Sequence, residues 1–362
     1  MKPLRIVLID GDTVGPELIR QVQKILSVFS SSGHLDCQID FGEAGVSALK
    51  KYGTALPEPT IQMITQANAV ILGNIGDRQF TSPVSERPEH ALLHMRKLYH
   101  VSTNIRPVFV KRGLDHFSPL KASFLKHGFD IYLVRDIQGG MLAGPRSYND
   151  STSDIEASDL EYYKESIIRS SARYAFEAAS CRRKHVTSLD KANVLASSIL
   201  WRNTVTQFSA HYPDILLTHQ YIDSAAMDVI RDSGAFDVIL TSNVFGDILA
   251  DELAQLSGTP NLFGSAELTP DGRGIYTPNQ LHHPREDYAG KQMVSPIGIL
   301  NSVSMMLQFS LHRPDLVRLL NQAIERTFEK KLTTAEYPFP GFQVVGTDEL
   351  GDAVAGYLKE FL

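Results

Sequence analysis

The stretch FDVILTSNVFGDILADELAQL, residues 236–256, joins two hydrophobic patterns end to end. A short apolar run, Val238 to Leu240, closes in the polar Thr241-Ser242-Asn243, and apolar residues then recur at helical spacing as far as Leu256. A buried strand that hands over to a helix through a polar junction is the repeating unit of an α/β chain. Inside the helical part Asp247 and Asp251 stand four residues apart, which sets both carboxylates on one face, one turn apart. Like charges at that spacing repel. Exposure to water offsets the cost, and so does a bound cation; the spacing alone leaves both open.

The same device recurs along the chain. RIVLID (5–10) runs into a Gly/Asp/Pro turn and the helical ELIRQVQKILSVF (17–29). AVILGNIG (69–76), FDIYLVRD (129–136) and KHVTSLDK (184–191) are apolar runs with polar or glycine ends. EYYKESIIRSSARYAFEAA (161–179) and PIGILNSVSMMLQFSL (296–311) read as helices. In open α/β sheets ligands gather beyond strand carboxyl ends, where these polar residues fall. GPRSYNDSTSD (144–154) is polar and turn-rich and reads as a loop, and no internal repeat stands out.

Composition narrows the function classes. The 362 residues are 43% hydrophobic and 21% charged, an ordinary globular balance with chain enough for two lobes. The net charge of −6, without a basic block, argues against nucleic acid or an anionic membrane as partner. No apolar run reaches the length of a membrane span. Acids at Asp10 and Asp12 follow the first apolar run too soon for a secretory leader, so residues 5–10 read as a first strand. Cys37 and Cys181 lack metal-ligand spacing and read as inert thiols of a cytoplasmic protein.

The polar ends carry chemistry-bearing residues in number. GDTVGPE (11–17) follows the first strand but is not a dinucleotide G-x-G-x-x-G turn. ALLHMRKLYHVSTNIRP (91–107) holds Arg96 and Arg106, and YLVRDIQGG (132–140) holds Arg135. Each arginine alone reads more readily as a surface ion-pair residue; together they suit carboxylates through bidentate forks. SLDKANVL adds Lys191 and Asn193, HQYIDSAAM adds Asp223, and the opening stretch adds Asp247 and Asp251. Carboxylate oxygens without thiolate partners favour Mg²⁺ or Mn²⁺ over zinc. The set suits an acidic small molecule chelated to a divalent ion.

With these motifs in order, the chain resembles the isocitrate/isopropylmalate dehydrogenase family of β-decarboxylating dehydrogenases, and its isopropylmalate branch most closely. GDTVGPE, RKLYHVSTNIRP, RRKHVTSLDKANVL, HQYIDSAAM, FDVILTSNVFGDILADE and PIGILNSVSMML carry the resemblance nearly end to end. It implies an α/β fold of two lobes with a central mixed sheet flanked by helices, not a Rossmann fold. Residues 1–101 with 257–362 would form the cofactor-binding lobe, and 102–256 the dimerisation and metal/substrate lobe. The segment after Gly140 would be an arm between subunits.

The resemblance implies roles residue by residue. Arg96, Arg106 and Arg135 match the arginines that hold the substrate carboxylates; Asp223, Asp247 and Asp251 match the metal-binding acids. Lys191 matches the lysine that moves the hydroxyl proton, with Asp223 counted beside it as catalytic. Lys191, Asn193 and Asp223 would reach into the site of a partner subunit, so a homodimer is implied. Glu89, Leu92 and Leu93 match the pocket for the substrate side group, and Val194 the partner's apolar contribution. His282, Asp287, Asn193 and Ser295 match cofactor-binding positions, with Asp287 holding the adenosine ribose and favouring NAD over NADP.

Two departures stand against the family pattern. GGMLAGPR (139–146) is one residue short, with Leu142 where the family has a tyrosine implicated in protonating the enolate; Tyr148 is a displaced candidate. The loop YTPNQLHHPREDYAG (276–290) is two residues longer than the family's, carries Thr277 and Arg285 at altered positions, and precedes Ser295, which replaces an asparagine. Arg285 leaves a 2′-phosphate, and hence NADP, open. The leading expectation is NAD- and Mg²⁺/Mn²⁺-dependent oxidative decarboxylation of a 3-alkylmalate, 3-isopropylmalate or a close analogue. The alternatives are a D-malate- or tartrate-type dehydrogenase and a non-catalytic ligand-binding subunit.

Overall fold

The computed structural model describes residues 4–78, 80, 86–110, 114–125, 127–151, 154–279 and 285–362. In chain order the first elements are β1 (Leu4–Gly11), α1 (Gly15–Ser31), β2 (Cys37–Gly42), α2 (Val46–Tyr52), α3 (Glu58–Thr65), β3 (Ala69–Asn74) and α4 (His90–Tyr99). The middle holds β4 (Thr103–Val110), β5 (Phe129–Asp136), β6 (Arg146–Asn149), β7 (Glu156–Asp159), α5 (Glu165–Ser180), β8 (His185–Asp190), α6 (Ala196–Ser209), β9 (Leu216–Tyr221), α7 (Ile222–Arg231), β10 (Val238–Thr241) and α8 (Asn243–Ser257). The last part adds β11 (Gly264–Leu268), β12 (Gly274–Pro278), α9 (Ile297–Phe309), α10 (Pro314–Glu329), β13 (Leu332–Thr333), β14 (Gln343–Val344) and α11 (Thr347–Phe361). Two compact units result, residues 1–100 with 260–362 and residues 101–259.

In the first unit the strands run β2-β1-β3-β12-β11, parallel except for the antiparallel β11–β12 pair. β3 is buried along its whole length, which is why AVILGN shows no alternation. Helix α1 packs on β1 and β3, and α9 packs on β3, β11 and β12. The GDTVGPE motif proves to be a junction of this unit. A Cβ on Gly15 would come within 1.9 Å of the Asp10 carbonyl, so only glycine lets α1 start there. Asp12 is buried and accepts hydrogen bonds from the backbone N–H groups of Val46 (2.8 Å) and Gly76 (2.9 Å), stitching together the turns that follow three strands. Burial nevertheless pushes its carboxyl above the usual range.

The second unit orders its strands β4-β5-β10-β8-β9, with β4 antiparallel to β5 and the rest parallel. Helix α5 covers β5, β10 and β8, while α8 packs on β4 and β5. The opening stretch folds as its pattern predicts, with β10 entirely buried and α8 beginning two residues later. One expectation is corrected. Part of the presumed loop 144–154 is strand β6, which pairs antiparallel with β7 as a separate hairpin. All eight residues of the two strands are exposed, so neither shows the apolar alternation by which a strand is recognised.

Candidate active site

Helix α8 ends the β10 crossover with Asp247 and Asp251 on its exposed side, and each acid meets an arginine from the neighbouring strands. Arg135, on β5, donates through Nη1 to Asp247. Arg106, on β4, donates through Nη1 to Asp251 at 3.2 Å, while its Nε is held by Asn104 Oδ1 at 3.0 Å. Arg106 therefore lies within a strand, not at an element end as its sequence neighbourhood suggests. Gly246 makes the approach possible: a Cβ there would stand 2.8 Å from Cγ of Arg135. The arginine side chains are largely buried and the acids' outer oxygens face water, with Asp247 about half and Asp251 four-fifths exposed. The repulsion between the two carboxylates is thus offset by the two guanidinium groups.

Arg135 is gripped from behind. Asn243, the first residue of α8, accepts from Arg135 Nε (3.2 Å) and Nη2 (2.7 Å) through one amide oxygen. Its Nδ2 donates to the Gly139 carbonyl at 2.8 Å.

Lys191 and Asp223 form a second pair, Nζ to Oδ2 at 2.7 Å. Hydrogen bonding from the Lys191 ammonium holds the Asp223 carboxyl below its ordinary range. Tyr221 lies under both Lys191 and Arg202, and Arg202 is anchored on the fully buried Asp190 at 2.8 and 2.9 Å. Asn193 and Val194 extend beyond this pair and are exposed. Asp223 does not join Asp247 and Asp251 in one cluster: among the described residues no three His, Cys, Asp or Glu side chains gather as a metal site. The α8 acids still offer the hard, outward oxygens that a divalent cation takes.

In the first unit Arg96, in the last turn of α4, is engaged with buried Glu267 of β11, Nε to Oε2 at 2.8 Å and Nη2 to the other oxygen. Leu92 is core, whereas Leu93 is exposed, as a helix turns successive residues to different sides. Glu89 precedes the same helix and is half-buried.

His282 lies outside the described residues. Asp287 sits exposed in a single 3₁₀ turn, Glu286–Tyr288. Either side of it the loop is tied down, Glu286 accepting from the Arg78 N–H at 2.7 Å and Glu17 from the Gly290 N–H. Arg285 is buried and paired with Glu336 at 2.7 Å. Glu336 also accepts from Asn261 Nδ2 (2.8 Å) and from the backbone N–H of Ser295 (2.7 Å). Asn279 is buried with neither amide atom hydrogen-bonded. The exposed Asp287 carboxylate and the unsatisfied Asn279 amide are polar groups left open to a bound molecule.

Leu142 is partly exposed, and Tyr148 stands on β6 with most of its surface in water. Asn243, Glu267 and Glu336 escaped the sequence reading. Asn243 had a signal, a polar residue at the strand–helix junction; Glu336 had none, because its partner lies 51 residues away in the chain.

Comparison with known proteins adds the following. The family model described as isocitrate/isopropylmalate dehydrogenase matches residues 5–354. The chain is 38% identical to the 3-isopropylmalate dehydrogenase of Yersinia pestis and 39% identical to that of Escherichia coli K12, over 99% of each chain. Among solved structures it is similar to an isocitrate dehydrogenase from Methylococcus capsulatus, with a TM-score of 0.80 at 25% identity, covering 98% of this chain and 99% of that one.

Proposed function

Since the chain belongs to the isocitrate/isopropylmalate dehydrogenase family and is a β-decarboxylating dehydrogenase, we propose that it oxidises a 3-alkylmalate, 3-isopropylmalate or a close analogue, with NAD⁺ and Mg²⁺ or Mn²⁺, and releases carbon dioxide. The observation that carries this reading is the crossed pairing of Arg135 with Asp247 and Arg106 with Asp251. It sets two carboxylate-binding forks beside two cation-binding carboxylates, the complement of a chelated 2-hydroxy diacid. On binding, each arginine exchanges an aspartate for a substrate carboxylate, and no charge is left unpaired.

Asp247 and Asp251, with Asp223 from a second subunit, would hold the divalent ion, which supplies Lewis acidity at the hydroxyl and later the carbonyl oxygen. Arg96, Arg106 and Arg135 orient the two carboxylates. With Asp223 drawn to the ion, Lys191 would give up its proton to solvent and, as the neutral amine, take the proton leaving the substrate hydroxyl; NAD⁺, when bound, would supply the hydride acceptor. The bond from Cβ to the carboxylate then breaks, its electron pair forms the enolate, and a proton returns to carbon. Leu142 cannot deliver that proton, so water or Lys191 does. By the resemblance Glu89, Leu92 and Leu93, with Val194 of a second subunit, would meet the substrate side group, and the exposed apolar surfaces of Leu93 and Val194 suit an alkyl group. Discrimination there is worth about 1–3 kcal/mol per methylene, so D-malate or tartrate turnover is the second reading.

NAD is favoured over NADP by Asp287, and Arg285, committed to Glu336, is not presented to a 2′-phosphate. Asn193, Ser295 and His282 complete the proposed cofactor contacts. A homodimer of shared sites is supported by exposed apolar residues on the adjoining helices α7 and α8, Met227, Ile230 and Ile248. No described helix is long and apolar enough to cross a membrane; the two free thiols suit a cytoplasmic setting.

The test is NADH and carbon dioxide measured together with Mg²⁺ over 3-isopropylmalate, other 3-alkylmalates, D-malate, tartrate and isocitrate. Both products on an alkylmalate, abolished by chelation, are expected. A preference for D-malate or isocitrate would overturn the substrate assignment.

A further inference from the structure

Behind Arg135 a chain of buried groups leads away from the proposed carboxylate site. The backbone N–H of Asn243 donates to Tyr163 Oη at 2.9 Å. The carboxyl of Asp136, the residue after Arg135, lies beside the Tyr163 hydroxyl, close enough for each to act on the other's charge. Asp136 is fully buried and accepts from the Gly139 N–H (2.8 Å), the Gln138 N–H (3.3 Å) and Ser171 Oγ (3.4 Å). Tyr163 is wedged in place: Trp201 meets its ring edge-on at 5.6 Å, and a Cβ on Gly139 would fall 2.4 Å from Cε1. Its phenol oxygen is engaged by the Asn243 N–H, and burial pushes its pKa well above the usual value.

Resting on the reading just given, we propose that Tyr163 is a positioning residue. Set between Asp136 and the first residue of α8, it fixes Asn243, and Asn243 fixes the Arg135 guanidinium that receives a substrate carboxylate. The geometry demands such a tie. Asn243 Oδ1 accepts from the Nε edge of Arg135, so a small rotation of the α8 amino end re-aims the whole fork. The amide of Asn243 is secured at Gly139 and its backbone at Tyr163, and Asp136 holds the Gly139 N–H in turn. The lost family tyrosine lay in the adjoining segment. Tyr163 does not replace its chemistry; it holds the segment's two glycines against the site.

Tyr163→Phe keeps the ring and removes only the hydroxyl. Expected is a KM for the alkylmalate raised about tenfold, with kcat within about threefold and the KM for NAD⁺ unchanged. Trp201→Phe loosens the packing on Tyr163 without touching its hydrogen bonds, and should lower the thermal midpoint while leaving KM in place. An unchanged KM in Tyr163→Phe, or equal KM shifts in both variants, overturns the proposal. Titration of each protein with 3-isopropylmalate and Mg²⁺ by calorimetry separates the two claims. Wild type that neither binds nor turns over any 2-hydroxy diacid defeats the functional reading and this inference with it. Wild type that binds, with Tyr163→Phe binding equally, defeats the inference alone.

Discussion

Asp136 has a fully buried carboxyl, and burial pushes its pKa up to about 6 although hydrogen bonds from Gly139, Gln138 and Ser171 oppose the shift. In the unfolded chain it titrates near 3.8. Between about pH 4 and pH 6 the native protein therefore holds a proton that the unfolded chain has released. Stability contributed by this group is present below that window, is lost as pH rises through it, and is level above pH 6. Asp136→Asn should flatten this slope, measured by urea denaturation across pH 4.5–7.5. An unaltered slope would place the proton elsewhere. At the same scale Asp247→Asn removes one of the hard oxygens on α8 and the charge that pairs with Arg135. A loss of about 10²-fold or more in kcat/KM, only partly relieved by saturating Mn²⁺, is expected from initial rates. The acids and arginines of the site were legible as residue types at polar strand ends. Which arginine faces which acid was not, because that depends on β4 and β5 lying beside each other under α8.

Strands with continuous apolar runs announced themselves: β3 and β10 are buried at every position, as strands covered on both faces must be. The cofactor loop is the opposite case. Its altered composition was visible, yet the partner of Arg285 was hidden, since a buried ion pair across 51 residues leaves no local trace. Once seen, the pair changes what the arginine means: a guanidinium already neutralised by Glu336 is a strut, not a phosphate receptor. Glu336→Gln should strip away that neutralising charge. NADP⁺ binding is expected to strengthen about tenfold with NAD⁺ binding little changed, while the thermal midpoint falls because a buried charge has lost its counterion. Equilibrium titration with both dinucleotides reads the first effect and calorimetric melting the second. Unaltered NADP⁺ affinity would mean that Asp287 alone sets the preference.

At the scale of the whole molecule, Lys191 and Asp223 pair with one another while Asp247 and Asp251 pair with arginines. If the working site takes the first pair from one subunit and the second from another, mixing inactive variants should restore activity. Lys191→Ala and Asp247→Asn, refolded together in equal amounts, should regain about a quarter of wild-type turnover, since about half the dimers are mixed and each has one intact site. No recovery would confine the site to a single chain. The hairpin β6–β7 bears on the same question from another side. Two strands with every residue in water have no core of their own, and an isolated pair of that kind is marginal in stability. Anything that covers it only in the assembled protein makes its folding obey mass action. Dilution would then melt the hairpin before it melts either unit, and a protease added to a dilution series would cut first between Pro145 and Leu160, at a rate that reports the fraction of dissociated chains.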